Sequence, residues 1–463
     1  MRKILFIIVL MFPIIVFAKD EKLIDYIQQI VVEANGNEDS MDLIGETGLA
    51  YDNTVDKNLR YVGKNPNNYV LFNDELWRII GVMNNVEDDK GQKASRIKII
   101  REEPIGSYAW GTSPSDVNRG WGDNEWTHSN MLVVLTNYYN STKGTCHNRN
   151  YEEIDCDFSH NGLSKEARLM TIPVKWNIAA IDPNYFGYKV SESYTKERSN
   201  TISKRCTASN CGDNGFEGSK RTPIWIGNIG LIYPSDYGYA TSGAGSNEER
   251  DKCINQGYFG VEGIQAKGWL DRQVCTSDDW LLLDHISGYW TMNPHYNSYH
   301  EAVSIHQKEP GRTMAYADKK VYPVLYLNDN VYLYSGDGSK ENPYVLVGYR
   351  IIVEGDKDSI KTKNGTKLSD LSAGTEVILE VFKEGFVLGE FKIFDLEGNE
   401  IEYEEISDKE YKFVMPASDV KVVAKFIKNE ENPETSVQSV LVILIVITMT
   451  AILFVASFRR LKD

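Results

Sequence analysis

Two long apolar runs bracket this chain and set the compartment in which the rest must fold. The first, residues 4–18, follows Arg2 and Lys3 and ends at Val16-Phe17-Ala18. A short basic start, an apolar stretch and tolerated cleavage residues read as a secretory signal peptide at 1–18, cut before Lys19. That run falls short of the ~20 residues needed to span a bilayer. The second, residues 437–457, has that length, and Arg459, Arg460 and Lys462 behind it mark a cytoplasmic end. The pattern predicts a single C-terminal transmembrane helix at 437–457 and a basic tail at 458–463. The N-terminus and the body between the runs are expected outside the cell.

An exported body sets the expectation for cysteine. All six (Cys146, Cys156, Cys206, Cys211, Cys253 and Cys275) lie in its middle portion. An even number in an oxidising compartment favours disulfides. Nearest-neighbour pairing is expected, 146 with 156, 206 with 211 and 253 with 275, each stapling one local loop. None shows the CxxC spacing of a zinc site, so no metal and no cofactor is expected. A net charge of −16 argues against a nucleic-acid partner, because phosphate contact needs a basic stripe.

Along the body, the 19–36 segment carries Leu23, Ile24, Ile27, Ile30, Val31 and Ala34 at helical spacing, closed by Asn35-Gly36. Tyr69-Val70-Leu71-Phe72, the turn Asn73-Asp74 and Leu76-Trp77-Arg78-Ile79-Ile80 read as a hairpin, with Arg96-Ile97-Lys98-Ile99-Ile100 as a third strand. Residues 129–139 and a short stretch capped by Ser164 have helical character. For over a hundred residues beyond, regular structure is hard to see, and aromatic phrases recur instead. Val321-Tyr322-Pro323-Val324-Leu325 closes the module as a strand. The reading is an α+β, loop-rich, disulfide-stapled head at 37–347. From 348 to 428 at least five short alternating strands, separated by Asn364-Gly365 and Gly398-Asn399, indicate a small all-β domain.

The Trp77-Arg78 strand, Trp126-Thr127-His128-Ser129, the Tyr233-Pro234-Ser235 phrase, the Trp290 to Pro294 spacing and Val321-Tyr322-Pro323-Val324-Leu325 together resemble a bacterial surface family without an established activity. The resemblance covers roughly 60–345. The order of these phrases is also similar to the C-type-lectin-like fold, including its formylglycine-generating branch, whose cysteine chemistry has no counterpart here. Met415-Pro416-Ala417-Ser418-Asp419-Val420 resembles the internalin-type B-repeat, which implies a stalk. In the linker 429–436, Asn432-Pro433-Glu434-Thr435-Ser436 before an apolar span and a basic tail resembles the sorting signals of Gram-positive sortases. The resemblance implies cleavage after Thr435 and attachment to the wall, although Asn432 and Ser436 stand where leucine and glycine are usual. The alternative is a plain single-pass anchor.

These features favour a surface-anchored binding protein or adhesin of a Gram-positive type, with an extracellular glycan or protein as partner. Exposed aromatic rings stack on sugar faces and dominate binding hot spots. Trp121, Tyr237, Trp269 and Trp290 are therefore the candidate ligand-binding residues, against the reading that such rings form the core of a loop-rich domain. An extracellular enzyme acting on glycans or peptides is one alternative, with Asp279, Asp284 and His285 as its acid/base candidates. His295, His300 and His306 lie close in sequence but lack a metal-binding pattern. A structural envelope component is the other alternative.

Overall fold

The computed structural model describes residues 21–111, 124–182, 189–203, 222–257, 273–284, 286–347, 349–363, 368, 371, 375–396, 398–416 and 418–428. The expected signal peptide, linker, transmembrane segment and tail lie outside these residues. Among the described residues no helix is long and apolar enough to cross a membrane. The chain divides into two compact units between Tyr349 and Arg350. Strand outweighs helix, 41% against 17%, so the mixed α and β architecture is framed by its sheets.

In the first unit the clearest sequence patterns become its scaffold. The helix Leu23–Glu33 buries Leu23, Ile27 and Val31. It ends where Asn35 takes a left-handed backbone at φ 56° and the Gly36 amide donates to the Val31 carbonyl at 2.8 Å. This is the capping role that Asn plays at low steric cost. The strands Tyr69–Phe72 and Glu75–Glu87 pair antiparallel across Asn73 and Asp74, both at φ 58°. Two consecutive positive φ values match the twist of a two-residue hairpin turn.

Lys93–Arg101 pairs with the other side of Glu75–Glu87. Val324–Tyr326 and then Ile229–Gly230 extend the sheet beyond it. Tyr344–Val347 and Tyr332–Ser335 extend it on the Tyr69–Phe72 side, and Leu49–Tyr51 joins through Leu59–Tyr61, for nine strands in all. Two helices begin as capping chemistry requires. Ser129 Oγ accepts from the Leu132 amide at the start of Asn130–Asn140, and Ser164 Oγ accepts from Ala167 at the start of Lys165–Leu169.

The stretch in which regular structure is hard to see holds a good deal of it. A five-stranded sheet runs Glu309–Met314, Glu301–His306, Tyr289–Pro294, Asp318–Lys320, Ser107–Ala109. Short helices Val190–Glu197, Pro234–Tyr239 and Asn247–Asn255 fall within the same stretch. The reason is burial on both faces. Every residue of Tyr289–Pro294 is buried, so it lacks the inside/outside alternation by which a strand is read. Two disulfides staple this unit, Cys146 to Cys156 and Cys253 to Cys275, both in the expected nearest-neighbour pairing. Cys206 and Cys211 lie outside the described residues.

The second unit is built from two small sheets. Ile351–Glu354, Val420–Lys428 and Phe386–Asp395 form one, and Ile360–Thr362, Glu376–Val381, Glu410–Val414 and Glu404–Ser407 the other. Alternation does its ordinary work here: Val377, Leu379 and Val381 are buried, as are Tyr411 and Phe413 on the paired strand. The first strand, Ile351–Glu354, runs parallel to the last, Val420–Lys428.

Asp419 locks that junction. It is 1% exposed, accepts from the Arg350 amide at 2.9 Å, and takes the Arg350 guanidinium on its other oxygen at 3.1 Å. Asp419→Ala leaves those donors short of an acceptor. It is expected to cost about 1–3 kcal/mol, read as faster amide exchange confined to residues 350–428. Unchanged exchange there would assign the bond no stabilising role.

Candidate ligand-binding surface

Both aromatic candidates among the described residues, Tyr237 and Trp290, are buried. Tyr237 lies in the helix Pro234–Tyr239, is 0% exposed, and donates its hydroxyl to the Lys308 carbonyl at 2.8 Å. Trp290 is 1% exposed and donates its indole N–H to the Tyr108 carbonyl at 2.8 Å. Neither ring presents a face to a ligand, so both are packing residues whose polar tips are satisfied, as buried Tyr and Trp require. Buried Trp110 and Trp126 and half-buried Trp225 make successive edge contacts at 5.5 and 5.6 Å. Trp121 and Trp269 lie outside the described residues.

Of the acid/base candidates, the two described aspartates each accept backbone amides on Oδ1. Asp284 Oδ1 accepts from the Ile286 and Ser287 amides at 3.1 and 2.9 Å, a turn-capping role. His285 lies outside the described residues. Asp279 is 5% exposed and its backbone bridges Gly63 on one side and Thr241 on the other. Its Oδ1 accepts from the Leu281 amide at 2.8 Å, while Oδ2 has no partner among the described residues. Burial pushes this carboxyl well above the ordinary carboxylate range.

A carboxyl raised in the folded state contributes stability that is full below its unfolded value near ~4 and is lost as pH rises through the folded value. Asp279→Asn removes that titration at nearly constant shape. The variant is expected to be more stable than the parent at pH 8, by about 1 kcal/mol or more. A less stable variant at pH 8 would mean that Oδ2 serves as a needed acceptor.

The histidines are not gathered on one point. His295 is 2% exposed, with Nε2 3.1 Å from Asp182 Oδ1 and Nδ1 3.6 Å from Glu301 Oε2. Opposite ring nitrogens face different carboxylates, so they do not converge on one ion. His306 sits beside Ser304, its imidazole pulled down by burial and by the Lys319 charge. Among the described residues no three His, Cys, Asp or Glu groups are placed to hold a metal.

Sequence reading missed a buried charge network. Arg60 and Lys98 both reach Asp236, at 2.6 and 2.5 Å, and Arg60 also meets Asp52 at 3.1 Å. All four side chains are no more than 1% exposed. The Tyr233-Pro234-Ser235-Asp236 phrase places the acid, because Asp236 Oδ2 also accepts from the Tyr233 amide at 2.9 Å. The Ser235 amide and hydroxyl next to it are held by the buried Glu197 carboxylate. Nothing in this network is open to a substrate; it fixes the interior.

The surface answers differently at the hairpin Lys143–His147 and Glu153–Asp157. Its disulfide, Cys146 to Cys156, is buried, and the His147 amide donates to Asn130 Oδ1 at 2.8 Å, so its base is pinned twice. At its tip Asn148 Oδ1 accepts from the amides of Asn150 and Glu152 at 2.9 and 3.0 Å. Tyr151 closes the turn at φ 62°. A bulky side chain in the left-handed region costs about 1 kcal/mol or more, where Gly or Asn would close the turn at less cost. Its ring lies flat on His147, centroids 4.2 Å apart and planes 6° from parallel. Arg149 extends from the same tip over the Tyr316 ring at 5.1 Å.

The result is a rigid, half-exposed patch of planar groups. The signal for it in the sequence was two cysteines ten residues apart enclosing histidine, arginine and tyrosine, and the ring stack needed the register to become visible. No family model, no curated protein and no solved structure matches this chain.

Proposed function

We propose that this chain is a surface-displayed binding protein, with the first unit as an extracellular ligand-binding head and the second as a spacer toward the C-terminal attachment. The observation that carries the reading is the pair of buried cystines in the first unit, since such bonds persist in oxidising compartments outside the cytoplasm. Support comes also from the two apolar end segments and from a second unit whose described residues are short alternating strands. The C-type-lectin-like likeness and the sortase-type signal at Asn432, Pro433, Thr435 and Ser436 belong to the same reading and rest on sequence phrases alone. Retention of 437–457 in the membrane and transfer to the wall after Thr435 both end in display.

The test is made on cells expressing the full chain. Envelope fractionation with maleimide mass-tagging is expected to place the protein in the envelope with no reactive thiol before reduction. The oxidised protein is expected to bind saturably on a mixed array of glycans and extracellular proteins. A cytosolic, thiol-reactive protein would overturn display, and silence on the array would overturn binding.

A further inference from the structure

The hairpin tip carries a stronger statement about what the head recognises. We propose that the tip of the Lys143–His147/Glu153–Asp157 hairpin, with Tyr316 beside it, is a saccharide-binding platform for neutral sugars; this rests on the reading of the first unit as a binding head.

Four observations converge on it. Tyr151 holds the turn's left-handed position at φ 62°, where its bulk is a steric liability, so its ring must be accounted for by something other than turn formation. That ring is not buried as core; it stacks on His147 at the surface with planes 6° apart. The tip is held in shape before any ligand arrives, by the cystine at its base and by the Asn148 carboxamide, which reduces the ordering cost of binding. Arg149 over Tyr316 adds a second flat element, whose exposed guanidinium presents planar paired donors.

A sugar ring offers a complementary surface. Its C–H face packs against aromatic rings, and its hydroxyls take planar donors and acceptors of the kind Arg149 and Asn150 supply. The surrounding charge selects among sugars. Glu152, Glu153 and Asp318 are exposed around the tip, against the Arg149 cation, whereas Asp155 further down the hairpin is paired with Lys143 at 2.9 Å. Like charge disfavours sialylated and uronic chains, which leaves neutral hexose and N-acetylhexosamine units.

The experiment uses the full-length, oxidised protein and three probe sets: neutral oligomers of glucose, mannose, galactose and N-acetylglucosamine; sialylated and uronic oligomers; and an extracellular-protein array. The variants are Tyr151→Gly and Tyr316→Ala. The parent is expected to bind at least one neutral oligomer, with the charged set at least tenfold weaker. Tyr151→Gly relieves the backbone strain, so it is expected to melt no lower than the parent while binding at least tenfold more weakly. Tyr316→Ala is expected to weaken binding at an unchanged melting temperature. Protein binding without sugar binding would overturn the platform and leave the binding head standing, whereas silence on every probe would overturn both. Undiminished sugar binding by a folded Tyr151→Gly protein would overturn the assignment to this hairpin, and preference for the charged set would overturn the neutral class.

Discussion

Asp236→Asn is expected to destabilise the first unit by about 3–5 kcal/mol. Two buried cations share this carboxylate, Arg60 at 2.6 Å and Lys98 at 2.5 Å. Removing one member of a buried ion pair leaves its partners charged, dehydrated and unanswered. Arg60 keeps Asp52, but for Lys98 what remains is the ring faces of Trp176, Tyr233 and Tyr326. The cost has a ceiling, because Lys98 can shed its proton. Burial already pulls its ammonium from 10.5 down to about 8, with Asp236 pulling the other way.

The pH dependence has the same sign for the two groups, because both folded values are lowered, but it falls in separate windows. Burial alone would raise Asp236, but the Lys98 and Arg60 charges outweigh it and hold the carboxyl well below its ordinary range. Its contribution is therefore full above ~4 and lost as pH falls toward the folded value. For Lys98 the unfolded chain binds the extra proton between about 8 and 10.5, so that group's contribution rises with pH across the window. Urea denaturation followed by tryptophan fluorescence, run from about pH 2 to 7, reads both the drop and the flattened acid limb of Asp236→Asn. The exposed Asp39→Asn serves as control and should move by less than ~0.5 kcal/mol. A loss under ~1 kcal/mol for Asp236→Asn would show that the network is no better than the solvation it replaces.

Removing the Cys253 to Cys275 bridge by paired alanine substitution is expected to cost about 3 kcal/mol. The bond closes a loop with a sequence separation of 22, and chain-entropy arguments assign a loop of that length roughly that value. Both sulfurs are fully buried, between Asn247–Asn255 and Gln273–Ser277, so two small cavities add to the loss. The shorter Cys146 to Cys156 loop, with a separation of 10, is expected to give somewhat less. Guanidinium unfolding of the two double variants tests the order as well as the size. A Cys253/Cys275 variant as stable as the parent would mean that helix packing alone holds the two segments together.

Much of the frame was legible because it follows local rules. Ser129 and Ser164 cap the helices they precede, and Asn73-Asp74 turns the hairpin. The alternation in Glu376–Val381 orients its strand. Each needs only a few neighbouring residues to act. What failed to show required partners distant in sequence. Trp290 looked like a binding ring because no periodicity marks a strand buried on both faces. Asp236 is isolated in sequence from Arg60 and Lys98, 176 and 138 residues away, so their triangle exists only after the sheet has formed. Tyr151 carries no local signal, since only the register across its turn sets it on His147.

The parallel pairing of Ile351–Glu354 with Val420–Lys428 bears on mechanics. The second unit is entered through the leading end of the first of these strands and left through the trailing end of the other. Tension applied between those points slides the strands past each other along their length. The four register pairs from Ile351 and Val420 to Glu354 and Val423 then strain together, where a hairpin pulled open at its mouth would yield one rung at a time. Rupture in that geometry demands concerted failure, and the lifetime under load is set by the unfolding barrier, not by equilibrium stability. In a spacer of the kind proposed for the second unit, this geometry would keep the fold shut under flow or drag.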